Sequence, residues 1–268
     1  MQQIGEGGMM NARGGWLSLG GLLLGVTVIG WAHLSMGGEL HTFLQPEALA
    51  VVFGGTAAAL LVSFPWRALI ESASGVADLA NRRPAPLEAL VPAFIGYARK
   101  ARRHGLMAIE ADADATHDGF LSRALSLSAS GMAAEVVREA LDLEARVCAE
   151  REEERAQVLE AAAGYAPTLG IVGAVLGLMR IMQHFSPDTV GAGMAAAFVA
   201  TIYGVAAANL VFLPLATRLR GRARIDALRR DLVVDGVLAL RDGASPAVVE
   251  ERLAGYLQQA RQGVSGAA

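Results

Sequence analysis

Along the chain, charged residues withdraw from four long stretches and gather in the segments between them. No Asp, Glu, Lys or Arg occurs in residues 14–38, 48–66, 161–179 or 189–217. A helix needs about 20 residues to cross the hydrocarbon layer of a bilayer, so each stretch is long enough, or nearly so, for one crossing. Their apolar residues run all round the helix rather than along one stripe. A chain of 268 residues could not bury four such helices in a water-soluble core. The pattern predicts an all-α, polytopic membrane protein with four transmembrane helices, a helical cytoplasmic domain between spans 2 and 3, and a cytoplasmic C-terminal tail. The divisions are 1–15, 16–66 (helices 1 and 2), 67–160, 161–217 (helices 3 and 4) and 218–268.

The segment 67–160 carries helical periodicity broken in three places. Pro84 and Pro86 follow Asn81-Arg82-Arg83, Gly105 interrupts the run Leu87–His104, and Thr116–Gly119 interrupts the next. Pro92 is compatible with a helix only in its first turn. No Gly or Pro intervenes between Met132 and Gly164, which predicts one long helix becoming the third span. Arg146 with Glu150, Arg151 with Glu154 and Glu152 with Arg155 have the spacing for pairing within that helix. Beyond the fourth span, Arg218–Arg241 reads as a basic amphipathic helix. Ser245-Pro246 then has the form of an N-cap with proline at N1, opening a short helix through Tyr256, with 261–268 frayed.

Charge sets the orientation. The 67–160 segment holds twelve Lys and Arg and the tail from Arg218 holds nine, whereas the connection between the third and fourth spans holds only Arg180 and Glu39–Glu47 holds none. Excess Lys and Arg marks the cytoplasmic side. Both termini and the large segment therefore belong inside, the arrangement of a multi-pass bacterial inner-membrane protein. A net charge of −3 gives no reason to invoke nucleic acid, and one cysteine, Cys148, excludes an intrachain disulfide. The first 15 residues lack the pattern of a cleavable signal.

Candidate chemistry is sparse. No nucleotide-binding, zincin or nucleophile-elbow motif is present in a suitable context, and His33, His41, His104, His117 and His184 lack metal-ligand spacing, so neither an enzyme nor a cofactor is expected. No span carries an acid in its interior, although a chain that moves ions usually keeps an ionisable group at membrane depth. Hydroxyls are present instead, at Thr56, Ser63, Tyr165, Thr168, Thr201 and Tyr203. If a cation passes, its carboxylate must come from another polypeptide. Pro167 and Pro214 each remove a backbone donor and leave a carbonyl free, at about the same depth by this orientation. Gly164, Gly170, Gly173 and Gly177 on the third span, with Gly191, Gly193, Gly204 and the alanine clusters of the fourth, allow close helix packing. Kinks beside an ion path and ordinary helix-end geometry both remain open.

Tyr165-Ala-Pro-Thr-Leu-Gly-Ile-Val-Gly-Ala-Val-Leu-Gly-Leu178 resembles the third-span signature of the MotA/PomA family of flagellar stator subunits, in the MotA/TolQ/ExbB proton channel superfamily. Met194–Pro214, with Thr201-Ile-Tyr-Gly204 and Ala208-Asn-Leu-Val-Phe-Leu-Pro214, resembles the fourth. Val52-Phe-Gly-Gly-Thr-Ala-Ala-Ala-Leu-Leu-Val-Ser-Phe-Pro65 is similar to the second. Ala98-Arg-Lys-Ala-Arg-Arg-His-Gly-Leu-Met-Ala-Ile-Glu110 and Ser245-Pro with Val249-Glu-Glu-Arg-Leu253 fit as well.

The resemblance implies a ring of five subunits around two copies of a single-span MotB/PomB-type partner, which supplies the ion-binding aspartate. Ion flow through the complex would turn the ring against the rotor protein FliG. It implies that Arg102 and Glu110 engage charges on FliG, that Pro167 and Pro214 couple ion flow to movement, and that Thr201 is the hydroxyl near the partner's aspartate. Sodium-type members often read Gly-Thr where this chain has Gly173-Ala174. A hard cation needs several oxygen ligands and a proton only one acceptor, so Ala174 favours H⁺ as the coupling ion over Na⁺. The alternative is a TolQ/ExbB-type channel subunit energising an envelope transport complex. That relative has three spans, with its large cytoplasmic segment after the first.

Overall fold

The computed structural model describes residues 6–81, 86–183 and 187–265. All regular elements among them are helical. In chain order they are α1 (Glu6–Ser35), α2 (Pro46–Leu49), α3 (Gly55–Ser63), α4 (Trp66–Asn81), α5 (Leu90–His104), α6 (Glu110–Ala115), α7 (Gly119–Ala129), α8 (Ala134–Gln183), α9 (Pro187–Ala206), α10 (Leu213–Arg241) and α11 (Pro246–Ser265). The interruption expected at Arg82, Arg83 and Pro84 lies outside the described residues, as does His184. Three helical stretches among those described, Leu40–Ser63, Ala134–Gln183 and Gly193–Arg241, are long and apolar enough to cross a membrane, and Gly20–Ser35 is a shorter apolar helix.

The chain forms two compact units, one of residues 1–81 and 154–219 and the other of 82–153 and 220–268. The first gathers the apolar stretches together with α4. Its helices pack through small residues, with Ala48, Val52, Ala166, Ala200 and Ala207 forming a buried cluster against which Tyr203 and Phe212 lie. The connection from α1 is closed by His33, whose Nε2 is 3.2 Å from the Glu39 carbonyl and whose ring lies 4.6 Å from that of Phe43. A structural role thus accounts for His33. On α4, the Ser72 hydroxyl donates to the Arg155 carbonyl at 2.8 Å.

The second unit has a larger apolar core. Leu90, Phe94 and Ala98 of α5 recur at helical spacing and meet Leu121 and Leu125, Val137 and Leu141, Leu232 and Val237, and Val249 and Leu253 from four other helices. Phe94 is fully buried, and its ring occupies the space a side chain would need at Gly236, where an added Cβ would come within 2.6 Å of it. Truncating such a phenylalanine to alanine costs about 3–5 kcal/mol. Pro92 falls in the first turn of α5, where its missing N–H has no intrahelical acceptor to serve. Asp118 caps α7, its Oδ1 accepting from the Phe120 and Leu121 amides at 3.1 and 3.3 Å.

Three expectations change. The helix opening at Ser245-Pro246 runs past Tyr256 to Ser265, because Tyr256, Leu257 and Ala260 extend its apolar face onto the core. Glu152 pairs with Arg230 at 2.5 Å rather than with Arg155 one turn along, and Glu153 pairs with Arg220 at 2.6 Å. Arg230 meets both Glu152 oxygens through its guanidinium fork, a bidentate geometry that adds energy and specificity. The fourth apolar stretch is also not uniformly α-helical. A π turn, Ala207–Phe212, stands between α9 and α10, and another, Ala50–Gly54, between α2 and α3.

Candidate functional site

The first candidate site is built on the crossing of α8 and α9. These helices run antiparallel, and their contact is made where side chains are smallest. An added Cβ on Gly177 would meet the Ala197 Cβ at 2.9 Å, one on Gly173 the Ala200 Cβ at 2.8 Å, and one on Gly170 the Ala200 carbonyl oxygen at 2.9 Å and the Thr201 Cα at 3.2 Å. At Gly204 the added atom would lie 2.4 Å from the Ala166 carbonyl oxygen and 3.0 Å from the Pro167 Cα. Pro167, Gly170, Thr201 and Gly204 therefore share one level of the crossing. Pro167 sits within α8 and deprives the Ala163 carbonyl of its usual donor.

Pro214 does not share that level. It lies ten residues beyond Gly204, or ~15 Å along a helix at 1.5 Å per residue, which corrects the expectation of a common depth. It is exposed, and the π turn Ala207–Phe212 ends two residues before it. Such a turn absorbs the extra space that a ring without an N–H requires. Ala174 is half-buried beside Gly173 on α8.

Five of the six hydroxyls, all but that of Thr201, divide into two groups. Thr56 donates to the Val52 carbonyl at 2.6 Å, Ser63 to that of Ala59 at 2.8 Å and Thr168 to that of Tyr165 at 2.7 Å. These back-bonds serve the helix itself. The two phenols reach other elements: Tyr165 lies 2.8 Å from the Ser63 hydroxyl, and Tyr203 accepts from the Gln45 amide at 3.5 Å. Neither phenol contact was legible from spacing, since each joins residues far apart in the chain.

The second candidate site lies in the other unit. Arg102 occupies the last turn of α5 and Glu110 the first residue of α6. Between them Gly105 takes a φ of +81°, a region open to glycine and strained for most other residues, and one 3₁₀ turn follows at Leu106–Ile109. This reversal brings Lys100 to Asp112, 2.7 Å apart, so one ion pair pins the corner. Arg102 and Glu110 are both exposed, and neither has an ion-pair partner among the described residues. Met107 at the tip is 68% exposed. The Asp112 charge and burial together raise the pKa of Tyr97, burial being the larger cause.

Long apolar helices knit by glycine and alanine define the class of protein, an all-helical one with helices long and apolar enough to cross a membrane. A family model described as the MotA/TolQ/ExbB proton channel family matches residues 112–231. Motility protein A of Bacillus subtilis (strain 168) is 31% identical over 243 residues, covering 90% of this chain and 90% of that protein. The structure of the flagellar MotAB stator complex from Bacillus subtilis matches with a TM-score of 0.81 at 30% identity, over 90% of this chain and 95% of that one. The fold is shared with C. jejuni MotAB at a TM-score of 0.84 and 23% identity, over 89% and 94% of the two chains. The chain belongs to the MotA/TolQ/ExbB proton channel family, on its motility protein A side. That family is one of channels, not of enzymes.

Proposed function

We propose that this chain is the multi-pass subunit of a flagellar stator in the bacterial inner membrane, crossing it four times with both termini in the cytoplasm. In a ring of five it surrounds two copies of a MotB/PomB-type single-span partner and converts ion flow into torque on FliG. The observation that supports this reading is a close helix crossing in apolar stretches that hold no acid of their own. The α8–α9 crossing sets Pro167 and Thr201 at one level, and yet no carboxylate occurs in the interior of any apolar stretch. A partner's aspartate supplies the missing group. The likeness to MotAB stator complexes over nine-tenths of the chain supports this reading over a TolQ/ExbB-type subunit.

Thr201, Pro167 and Pro214 are assigned to the coupling of ion movement to rotation, and Arg102 and Glu110 to the rotor contact. Ala174 offers no ligand oxygen at the position where sodium-type members place a hydroxyl, so H⁺ is the coupling ion. Swimming speed measured across a range of Na⁺ concentrations should stay constant and fall to zero with a protonophore. Speed that tracks Na⁺ and survives the protonophore would sink the H⁺ assignment.

A further inference from the structure

The contact between Ser63 and Tyr165 has a direction that proton counting fixes. A serine hydroxyl carries one proton, and that of Ser63 is given to the Ala59 carbonyl at 2.8 Å. Tyr165 is therefore the donor in the 2.8 Å contact between the two hydroxyls, and the order runs from the Tyr165 O–H to Ser63 Oγ to the Ala59 carbonyl. Ser63 is the last residue of α3. Tyr165 stands two positions before Pro167 on α8, and its own carbonyl accepts from Thr168 at 2.7 Å. One residue further, Gly204 lies against the Ala166 and Pro167 backbone. The turn weakened by proline is thus held from α3 by a side-chain bond and from α9 by backbone contact.

We propose that Tyr165 and Ser63 form a coupling tie. The bond keeps the end of α3 in register with α8 directly before Pro167, so that movement at that turn carries α3 with it instead of being lost as sliding between the helices. Both are positioning residues, and neither is an ion ligand. The proposal rests on the stator reading above. A single interhelical hydrogen bond contributes too little to decide whether such a protein assembles. Its loss should therefore appear in work per unit rather than in the number of units.

The test uses the full chain with its own partner, in its own bacterium deleted for the native copy. Torque per stator unit is read from the speed steps of a bead on a tethered motor, and units per motor are counted by fluorescence of a tagged partner. Tyr165→Phe and Ser63→Ala should each lower torque per unit at an unchanged unit count. Ser63→Thr, which keeps the hydroxyl, should match the parent. The double variant should be no worse than the worse single, because both remove the same bond. Parental torque per unit in either single variant overturns the tie, as does an additive double, or a loss that a lower unit count fully accounts for. If the unaltered chain fails to restore rotation, the stator reading itself fails. If it restores rotation and Tyr165→Phe equals it, only the tie is lost.

Discussion

Gly204 makes the tightest approach to another helix's backbone among the described glycines. A methyl group there would meet the Ala166 carbonyl oxygen at 2.4 Å, and that oxygen belongs to the α8 backbone, so no rotamer change can relieve the contact. Gly204→Ala should force α8 and α9 apart and destabilise the protein by about 1–3 kcal/mol, the usual cost of overpacking. Gly164 on α8 provides the contrast, since nothing lies within 4 Å of an added Cβ. Gly164→Ala should be neutral or stabilising by up to about 1 kcal/mol through helix propensity. Thermal unfolding of both variants in detergent checks the pair, and a Gly204→Ala melting temperature equal to the parent's would show that the seam yields at no cost. At this scale much was legible in the sequence. Of the third-span glycines expected to allow close approach, Gly170, Gly173 and Gly177 do so and Gly164 does not, and Ser245-Pro246 opened α11 as its chemistry required. The identity of each glycine's neighbour was not legible, because the register between two all-apolar helices depends on contacts that no single strand of sequence encodes.

Between elements, charge is the informative variable. α8 and α10 exchange the Glu152–Arg230 and Glu153–Arg220 pairs. Further toward the start of α8, they flank an open groove of about 720 Å³ whose lining includes Glu139, Asp142, Arg146 and Asp231. The pKa of Asp231 is raised by burial first, then by Asp235 and Asp142, with Arg230 opposing. Asp235 in turn accepts from the Tyr256 hydroxyl of α11 at 2.5 Å, and burial together with that bond raises the pKa of the phenol. A carboxylate whose pKa is raised by folding holds its proton more tightly in the folded state. The stability it contributes is full below the unfolded pKa, about 4, and is lost as pH rises through the folded value. Asp231→Asn should therefore raise the melting temperature at pH 7, and the gain should shrink to nothing as pH falls below about 4, where the parent is protonated. A gain that is independent of pH would point to packing instead of charge. The sequence showed these charges and their helical spacing, but it suggested pairing along α8. Pairing across helices depends on which faces α10 and α11 present, and that is decided by the core around Phe94 and Gly236.

For the whole molecule, the question is how a channel subunit delivers force to a rotor. Arg102 and Glu110 stand on an exposed corner whose fold is set by Gly105 and by the Lys100–Asp112 pair. Because the corner has its own ion pair, the two outer charges are not needed to hold it. Reversing Glu110 should therefore leave the corner folded and the chain inserted, while altering the field presented to a charged partner. Steering and register between proteins depend on such complementarity, and like charges brought together cost several kcal/mol. Glu110→Lys is expected to reduce swimming in soft agar severely at normal membrane abundance. A compensating reversal on the rotor face should recover part of the motility, and lower salt should deepen the defect, because exposed charges are screened within about 10 Å at 0.1 M ionic strength. Lys100→Ala makes a different prediction. It breaks the pair that shapes the corner and leaves the outer charges in place, so no reversal on the rotor should rescue it. Wild-type motility in Glu110→Lys would remove this corner from the rotor contact and turn attention to other exposed charges of the same unit.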